Sequence, residues 1–347
     1  MIFIFDLFGL KENTMKKKLA ILTAAALCLG LAGCGAAPAA TSSDTATTTV
    51  PTAGNADTVS VVSTIFPSYD WAKEIVGETE GVDLTLLIDN GVDLHSYEPS
   101  VEDIAKISTA DVFIYVGGES DGWVDDVLSQ ATNPDMVVIN MMDVLADDIK
   151  EEEIVEGMEA EEEEAEGEEE EVEYDEHVWL SLNNAEKLVS AIQSALSKVD
   201  ADNAAGYEAN ANAYITELQA LDTEYKTCVS NAKRDTFLFA DRFPFRYLAE
   251  DYNLNYYAAF VGCSADTEAS FETVAFLANK VDELQLPVIL TIETSDGKLA
   301  KTVLDSTKSK DAQLLVLDSL QNTKLSDNKS YLDVMRSNLD VLKTALN

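Results

Sequence analysis

Residues 203–231, NAAGYEANANAYITELQALDTEYKTCVSN, decide the architecture of this chain. The stretch has no proline and a single glycine, so nothing in it ends a helix. At 1.5 Å per residue the predicted helix is roughly 40 Å long, enough to cross a whole domain. Its apolar and aromatic side chains recur at helical spacing, at Tyr207, Ala211, Tyr214, Leu218, Leu221 and Tyr225.

Strand-like runs alternate with helical runs on both sides of this helix. That order is typical of parallel sheets flanked by helices. We therefore predict an α/β fold of two lobes, with mainly parallel sheets, joined by one long rigid helix. The predicted strands are VSVVSTIF (59–66), VDLTLLI (82–88), DVFIYVG (111–117) and MVVINMM (136–142) before it, then TFLFAD (236–241), YYAAFVG (256–262), PVILTIE (287–293) and LLVLD (314–318) after it.

The N-terminus has the features of an export signal. A cluster of lysines at 16–18 precedes the apolar run 19–31, which is too short to favour a membrane span. The quartet Leu31-Ala32-Gly33-Cys34 resembles a bacterial lipobox, in which the cysteine carries the lipid. We expect an exported protein, lipid-anchored through Cys34 on the outer face of the cytoplasmic membrane. An ordinary secretory signal is the alternative.

Acidic residues dominate the charge of the chain. The formal net charge is −41, and residues 151–176 alone hold 17 acidic residues and no lysine or arginine. A surface of this sign repels nucleic acid, so we predict no nucleic-acid partner. So many like charges also predict a disordered insert. Two roles fit this composition: a solvated linker, or a loop whose carboxylates bind cations weakly.

Two of the four cysteines, Cys228 and Cys263, lie beyond the export signal. Because exported proteins meet oxidising conditions, these two are candidates for one disulfide. Two buried free thiols are the alternative reading.

Polar residues at the ends of predicted strands suggest a metal site. His95 and His177 are the only histidines in the chain, and His95 follows a predicted strand. Ligands collect beyond the carboxyl ends of parallel strands. Two imidazoles with one or two carboxylates suit zinc, and also manganese or iron. The acidic candidates are Glu293, Asp241 and Asp296.

These stretches resemble the metal-binding solute-binding proteins of ABC importers, of the zinc and manganese type. The resemblance covers about residues 58–346 and rests on HSYEPSVEDIAKISTADVFIYVG (95–117), DEHVWLS (175–181), FRYLAEDYNL (245–254) and GCSADTEASFETVAFL (262–277).

The resemblance implies a set of metal ligands. The first two family histidines fall on His95 and His177, and the acidic ligand falls on Glu293, with Asp296 as a rival. The third family ligand, a histidine or a glutamate, falls on Arg242. A guanidinium does not bind metal, so this ligand is missing, replaced by water, or supplied by Asp241. Alternatively, Arg242 pairs with Glu293 or with an incoming anion.

The resemblance also implies a function. The protein would capture a transition metal, zinc or alternatively manganese, between two lobes and deliver it to an ABC permease powered by an ATPase. We do not expect an enzyme, since no residue is placed as a general base. A metal-dependent hydrolase and an adhesin-like lipoprotein are the rival hypotheses.

The predicted organisation follows from these features. It comprises a signal peptide with lipobox (1–34, of which 1–14 precede the alternative start Met15), a flexible tether (35–57), an N-terminal lobe (58–148), an acidic disordered insert (149–174), a return segment and helix (175–202), the long helix (203–231) and a C-terminal lobe (232–347).

Overall fold

A computed structural model describes residues 58–159, 173–264 and 269–347. The predicted signal peptide, Cys34 and the tether lie outside these residues, as does the middle of the acidic insert. Within the described part, every helix is too short or too polar to traverse a bilayer.

The first α/β series forms a four-stranded parallel sheet in the order β2-β1-β3-β4. Capping defines its helices: Ser100 and Asp103 form a capping box at α2, and Asn140 caps α4. The elements are β1 Val59–Ser63, α1 Phe66–Val76, β2 Val82–Leu86, α2 Val101–Thr109, β3 Val112–Tyr115, α3 Val124–Leu128, β4 Val137–Asn140 and α4 Met141–Leu145.

All four predicted strands in this series are shorter than expected, and two of them are followed closely by a helix. The first ends at Ser63, and helix α1 begins at Phe66 with Pro67 in its first turn. Proline is well tolerated there, because the first helical N–H groups have no partner within the helix. The last strand ends at Asn140, whose side chain accepts a hydrogen bond from the Asp143 N–H and starts α4.

The two central helices are α5 (Leu182–Val199) and α6 (Ala204–Ser230). Helix α6 has 27 residues and confirms the predicted long helix. It packs against α5, α1 and the C-terminal helix α10 (Tyr331–Ala345). Its buried residues include all six that the spacing predicted, from Tyr207 to Tyr225.

The second α/β series is built from shorter parallel pairings, β5 with β7, β6 with β8, and β9 with β10. The predicted strand 236–241 is interrupted because the chain changes partners: the Phe239 N–H donates to Tyr257, and the Ala240 N–H donates to Leu290. The elements are β5 Thr236–Leu238, β6 Arg242–Phe243, α7 Arg246–Asp251, β7 Asn255–Tyr257, β8 Phe260–Val261, α8 Phe271–Leu284, β9 Val288–Thr291, α9 Lys298–Ser306, β10 Gln313–Val316 and α10.

The acidic segment is ordered at its base, so the prediction of disorder throughout 149–174 is wrong for residues 149–159. Glu151 pairs with Tyr174 in an antiparallel bridge, and the Glu159 N–H donates to Ala259 at 2.9 Å. Apolar side chains, Val155 and Met158 among them, pack against the core. The count of like charges overlooked these apolar anchors.

The predicted disulfide between Cys228 and Cys263 is also wrong, because both cysteines are free thiols. Cys228 lies in the last turn of α6, beside Lys343 and Asn347 near the C-terminus. Cys263 follows β8 and lines a cleft that contains His95. The thiols of Cys228 and Cys263 therefore lie in two different pockets.

Candidate metal centre

His95 lies on a short 3-10 turn, Leu94–Ser96, in the loop after β2. The Asp93 carboxylate caps this turn by accepting from the His95 N–H at 3.1 Å, and Leu94 anchors it in the core. The His95 ring is 12% exposed, and its Nδ1 lies 2.7 Å from the Ser120 hydroxyl. These contacts leave Nε2 directed away from the loop.

His177 is completely buried and immediately precedes the 3-10 turn Val178–Leu180. Asp175 holds it twice, accepting from its backbone N–H at 2.8 Å and from its Nδ1 at 2.9 Å. A carboxylate on the outer nitrogen of a histidine is the usual partner of a metal-binding imidazole, since it fixes the ring and its tautomer.

The two imidazoles face each other, with Nε2 of His95 and Nε2 of His177 3.1 Å apart. Two nitrogens bound to one tetrahedral zinc at 2.0–2.1 Å lie about 3.3–3.4 Å apart. The pair therefore needs to separate by only a few tenths of an ångström to hold zinc. The residues present fit such an ion.

The two rings differ in electrostatics. Burial, the neighbouring His177 and the Arg242 guanidinium lower the pKa of His95 to about 3. Burial also opposes the charged form of His177, but the Asp175 carboxylate outweighs it and the pKa of His177 is raised. Metal binding requires both facing nitrogens to be unprotonated, so we expect the pair to release protons when it binds zinc.

Cys263 is a third potential ligand that sequence reasoning assigned to a disulfide instead. The ligand atoms of His95, His177 and Cys263 all lie within 4.8 Å of one another. Among the described residues, this is the group of histidine, cysteine and acidic side chains that could hold a metal ion. Cys263 lies just after strand β8. The acidic candidates were chosen because they follow predicted strands, and the same criterion applied to cysteines would have identified Cys263.

Glu293 does not belong to this group. Its carboxylate accepts from the Ser319 N–H at 2.7 Å and from the Ser319 hydroxyl at 2.9 Å. Burial and the nearby Asp318 carboxylate raise the pKa of Glu293 to about 7.

Gln321 connects Glu293 to the histidine pair. In the amide orientation that satisfies its neighbours, its oxygen accepts from the Ser319 hydroxyl and from Nε2 of His177, both at 3.1 Å, and its nitrogen donates to Asp93. Hydrogen bonds through Ser319 and Gln321 thus link Glu293 to His177.

Arg242, at the position of the third family ligand, forms an ion pair with Asp93. Its Nη1 also donates to the Ser264 carbonyl at 3.3 Å. The side chain is 14% exposed, so this pair lies largely out of water beside the histidines. Arg242 thereby ties the start of strand β6 to the loop that carries His95.

The two remaining acidic candidates have local partners. Asp241 accepts from the Arg242 N–H at 3.0 Å, and burial raises the pKa of its carboxyl. Asp296 is exposed and accepts from the Lys298 N–H at 2.9 Å, where it supports the start of α9. The structure brings neither side chain into the group formed by His95, His177 and Cys263.

The site opens into a cleft of about 410 Å³. Four glutamates line the cleft, which favours the approach of cations. Sequence reasoning missed these lining residues as well as the two outer partners of the histidines, Ser120 and Asp175. The acidic lining residues are Glu119, Glu152, Glu173 and Glu176.

A family described as "Zinc-uptake complex component A periplasmic" matches residues 61–345. The chain belongs to this family. Membership of the zinc-uptake component A family confirms the resemblance that the sequence motifs indicated.

Curated relatives agree with this assignment. The chain is 34% identical over 333 residues to the "High-affinity zinc uptake system protein ZnuA" of Bacillus subtilis, covering 95% of this chain and 98% of that protein. It is 35% identical over 286 residues to the "Zinc-binding lipoprotein AdcA" of Streptococcus pneumoniae, covering 82% of this chain. The chain spans 55% of that relative's length, and the same share of the zinc-binding protein AdcA of Streptococcus pyogenes.

A solved structure shares the fold. The Zn(II)-bound ZnuA-like domain of Streptococcus pneumoniae AdcA superimposes with a TM-score of 0.65 at 31% identity, covering 83% of this chain and 99% of that domain. The predicted α/β class, with parallel sheets flanked by helices, is confirmed for this member of the zinc-uptake component A family.

Proposed function

We propose that this protein captures a zinc ion outside the cytoplasm and delivers it to an ABC permease powered by an ATPase. The observation that carries the proposal is the pair of Nε2 atoms 3.1 Å apart, with each outer nitrogen held by a polar partner. Buried histidines arranged in this way present two lone pairs toward one point, which suits a metal ligand pair.

The donor type favours zinc over manganese. Imidazole nitrogen suits zinc, whereas manganese prefers carboxylate and water oxygens. Manganese is the alternative cargo, because hydrogen bonds through Gln321 and Ser319 link two carboxylates, Asp93 and Glu293, to the pair. The names of the Bacillus and Streptococcus relatives support zinc.

Glu293 is the proposed acidic ligand of the loaded state. To reach the metal, its carboxylate must leave Ser319, and Gln321 must leave His177. Because helix α6 packs along both halves of the protein, we expect loop movements and small tilts rather than wide closure.

Export and anchoring complete the proposal. Cys34 would carry the lipid, and the tether 35–57 would let the domain reach its permease while raising its local concentration. The name of the pneumococcal lipoprotein relative supports this anchor. A metal-dependent hydrolase is set aside, since the family is described by uptake.

The first test compares the metal content and zinc affinity of the wild-type protein with those of His95→Ala, using mass spectrometry and competition with a chelator. Asp296→Asn is the matched control, because its exposed carboxylate faces Lys298. We expect a single zinc per chain in the wild type and in the control, and an affinity loss of about 100-fold or more in His95→Ala.

Each contrary outcome has a definite meaning. A wild-type protein that retains no zinc at micromolar metal would contradict zinc capture. A protein that retains manganese in preference to zinc would establish the alternative cargo. An unchanged affinity in His95→Ala would remove the histidine pair as the site.

A further inference from the structure

The position of the third family ligand cannot supply a metal donor in this chain. Arg242 has only N–H donors, and its guanidinium is held by the Asp93 carboxylate and the Ser264 carbonyl. His95 and His177 therefore lack one protein ligand of the family pattern. A zinc ion between them would take that ligand from elsewhere or from water.

Cys263 is the candidate for the missing ligand, because among the described residues it groups with both histidines. Its sulfur and one imidazole nitrogen of each histidine all lie within 4.8 Å of one another. In a tetrahedral site with Zn–S near 2.3 Å and Zn–N near 2.0–2.1 Å, sulfur and nitrogen lie about 3.6 Å apart. A shift of about 1.2 Å or less thus completes the geometry.

The fold holds Cys263 against His177 through its neighbour Gly262. A methyl group at Gly262 would lie 3.0 Å from Cε1 of His177 and 3.0 Å from the Phe243 carbonyl oxygen. The absence of a side chain therefore lets this loop pack directly on the imidazole. The Cys263 N–H donates to the Glu152 carboxylate at 3.3 Å, which fixes the loop from the other side.

The thiol is available for metal binding. Cys263 is a free cysteine and lines the same cleft as His95. The other free cysteine of the described chain, Cys228, lies beside α10 in a separate pocket, so it does not compete for this role.

We infer that Cys263 is a zinc ligand, bound as the thiolate, that takes the coordination position Arg242 cannot fill. This inference rests on the proposed zinc-capture function and deepens it. On binding, the S–H bond breaks, a sulfur lone pair forms the bond to zinc, and the proton passes to the Glu152 carboxylate and on to water. Nothing is oxidised or reduced.

A thiolate ligand would also determine selectivity. Sulfur is a soft donor that favours zinc and disfavours manganese. A His₂Cys set completed by Glu293 therefore discriminates between the two metals more strongly than histidines and carboxylates alone.

The test loads the protein with cobalt(II) and records the near-ultraviolet absorption that arises only when sulfur binds the metal. Cys263→Ser is compared with the wild type and with the matched control Cys228→Ser. We expect the thiolate band in the wild type and in Cys228→Ser and its loss in Cys263→Ser, with zinc affinity about 10–100-fold weaker in that variant. Circular dichroism melting checks that each variant is folded.

A second measurement does not depend on any variant. The wild-type protein is alkylated with iodoacetamide with and without zinc, and modification of Cys263 is read by peptide mass spectrometry. We expect zinc to protect Cys263 and to leave Cys228 unaffected.

The outcomes separate this inference from the proposed function. A wild-type protein that binds a single cobalt or zinc without a thiolate band, and without protection of Cys263, would overturn the thiolate ligand and leave zinc capture standing. A wild-type protein that binds neither metal would overturn both.

Discussion

On the N-terminal side of the metal centre, His95 and His177 have their outer nitrogens bound to Ser120 and Asp175, and their inner nitrogens face each other. On the C-terminal side, the charged ends of Arg242 and Glu293 are bound to other groups, Asp93 and Ser319. Under the proposed function, the N-terminal side is already arranged for metal. On the C-terminal side Glu293 would have to leave Ser319, so we expect loading to involve the loops of that side.

Glu293→Gln probes the C-terminal side and should have the largest effect on zinc affinity among four variants, the others being Asp175→Asn, Ser120→Ala and Asp70→Asn. Gln lacks the negative charge that a carboxylate ligand gives to zinc, so we expect zinc affinity to fall by about 100-fold, or about 2.7 kcal/mol. The metal-free protein should melt at the same or a higher temperature at pH 8, because a neutral amide replaces a buried carboxylate near Asp318.

Zinc titration and thermal melting of the same Glu293→Gln preparation show whether Glu293 is a metal ligand or only a structural anchor for Ser319. A fall in affinity without loss of stability indicates a ligand. A fall in stability with unchanged affinity would show that Glu293 only anchors Ser319, and the C-terminal side would then supply no carboxylate.

Asp175→Asn probes the N-terminal side. The amide still accepts from His177 Nδ1 but no longer increases the basicity of the ring, so we expect zinc affinity to fall by about 10–100-fold. Ser120→Ala, which removes the neutral partner of His95, should cost only about two- to tenfold. Chelator competition measures both variants. Equal losses of zinc affinity in Asp175→Asn and Ser120→Ala would contradict the prediction, because they would show that the negative charge of Asp175 adds nothing to its positioning of the ring.

Asp70 lies in α1, outside the group formed by His95, His177 and Cys263. The substitution Asp70→Asn should therefore leave zinc affinity unchanged while it alters the free energy of unfolding. Asp70 of α1 accepts from the Tyr331 N–H of α10 at 2.8 Å, a bond that an Asn oxygen preserves. Burial raises the pKa of Asp70 from 3.8 to about 6. The folded state therefore binds a proton more tightly than the unfolded chain between these values.

The sign of the pH effect of Asp70 follows from this difference. Its contribution to the free energy of unfolding is fully present below pH 3.8 and is lost as the pH rises through about 6. The loss is at most about 3 kcal/mol. Denaturant unfolding of wild type and Asp70→Asn from pH 4 to pH 7 should give stability curves that diverge across this window. Parallel curves would refute the prediction.

Most of the fold was predictable from local patterns. The spacing from Tyr207 to Tyr225 located helix α6, because a helix buries residues that recur with its own period. The base of the acidic segment was mispredicted, because its few apolar residues pack on distant parts of the core. Net charge describes solvation and does not reveal such contacts.

The sequence by itself determined the α/β series, the long helix and the two histidines, since periodicity, caps and residue scarcity are properties of short stretches. Only the tertiary structure decided what meets at the metal centre. His95 and His177 are 82 positions apart, and Arg242 reaches Asp93 across 149 positions. The nearness of Cys263 to the histidines likewise depends on how strand β8 and the loop after β2 approach each other. Such contacts follow from packing between elements, and no local pattern records them.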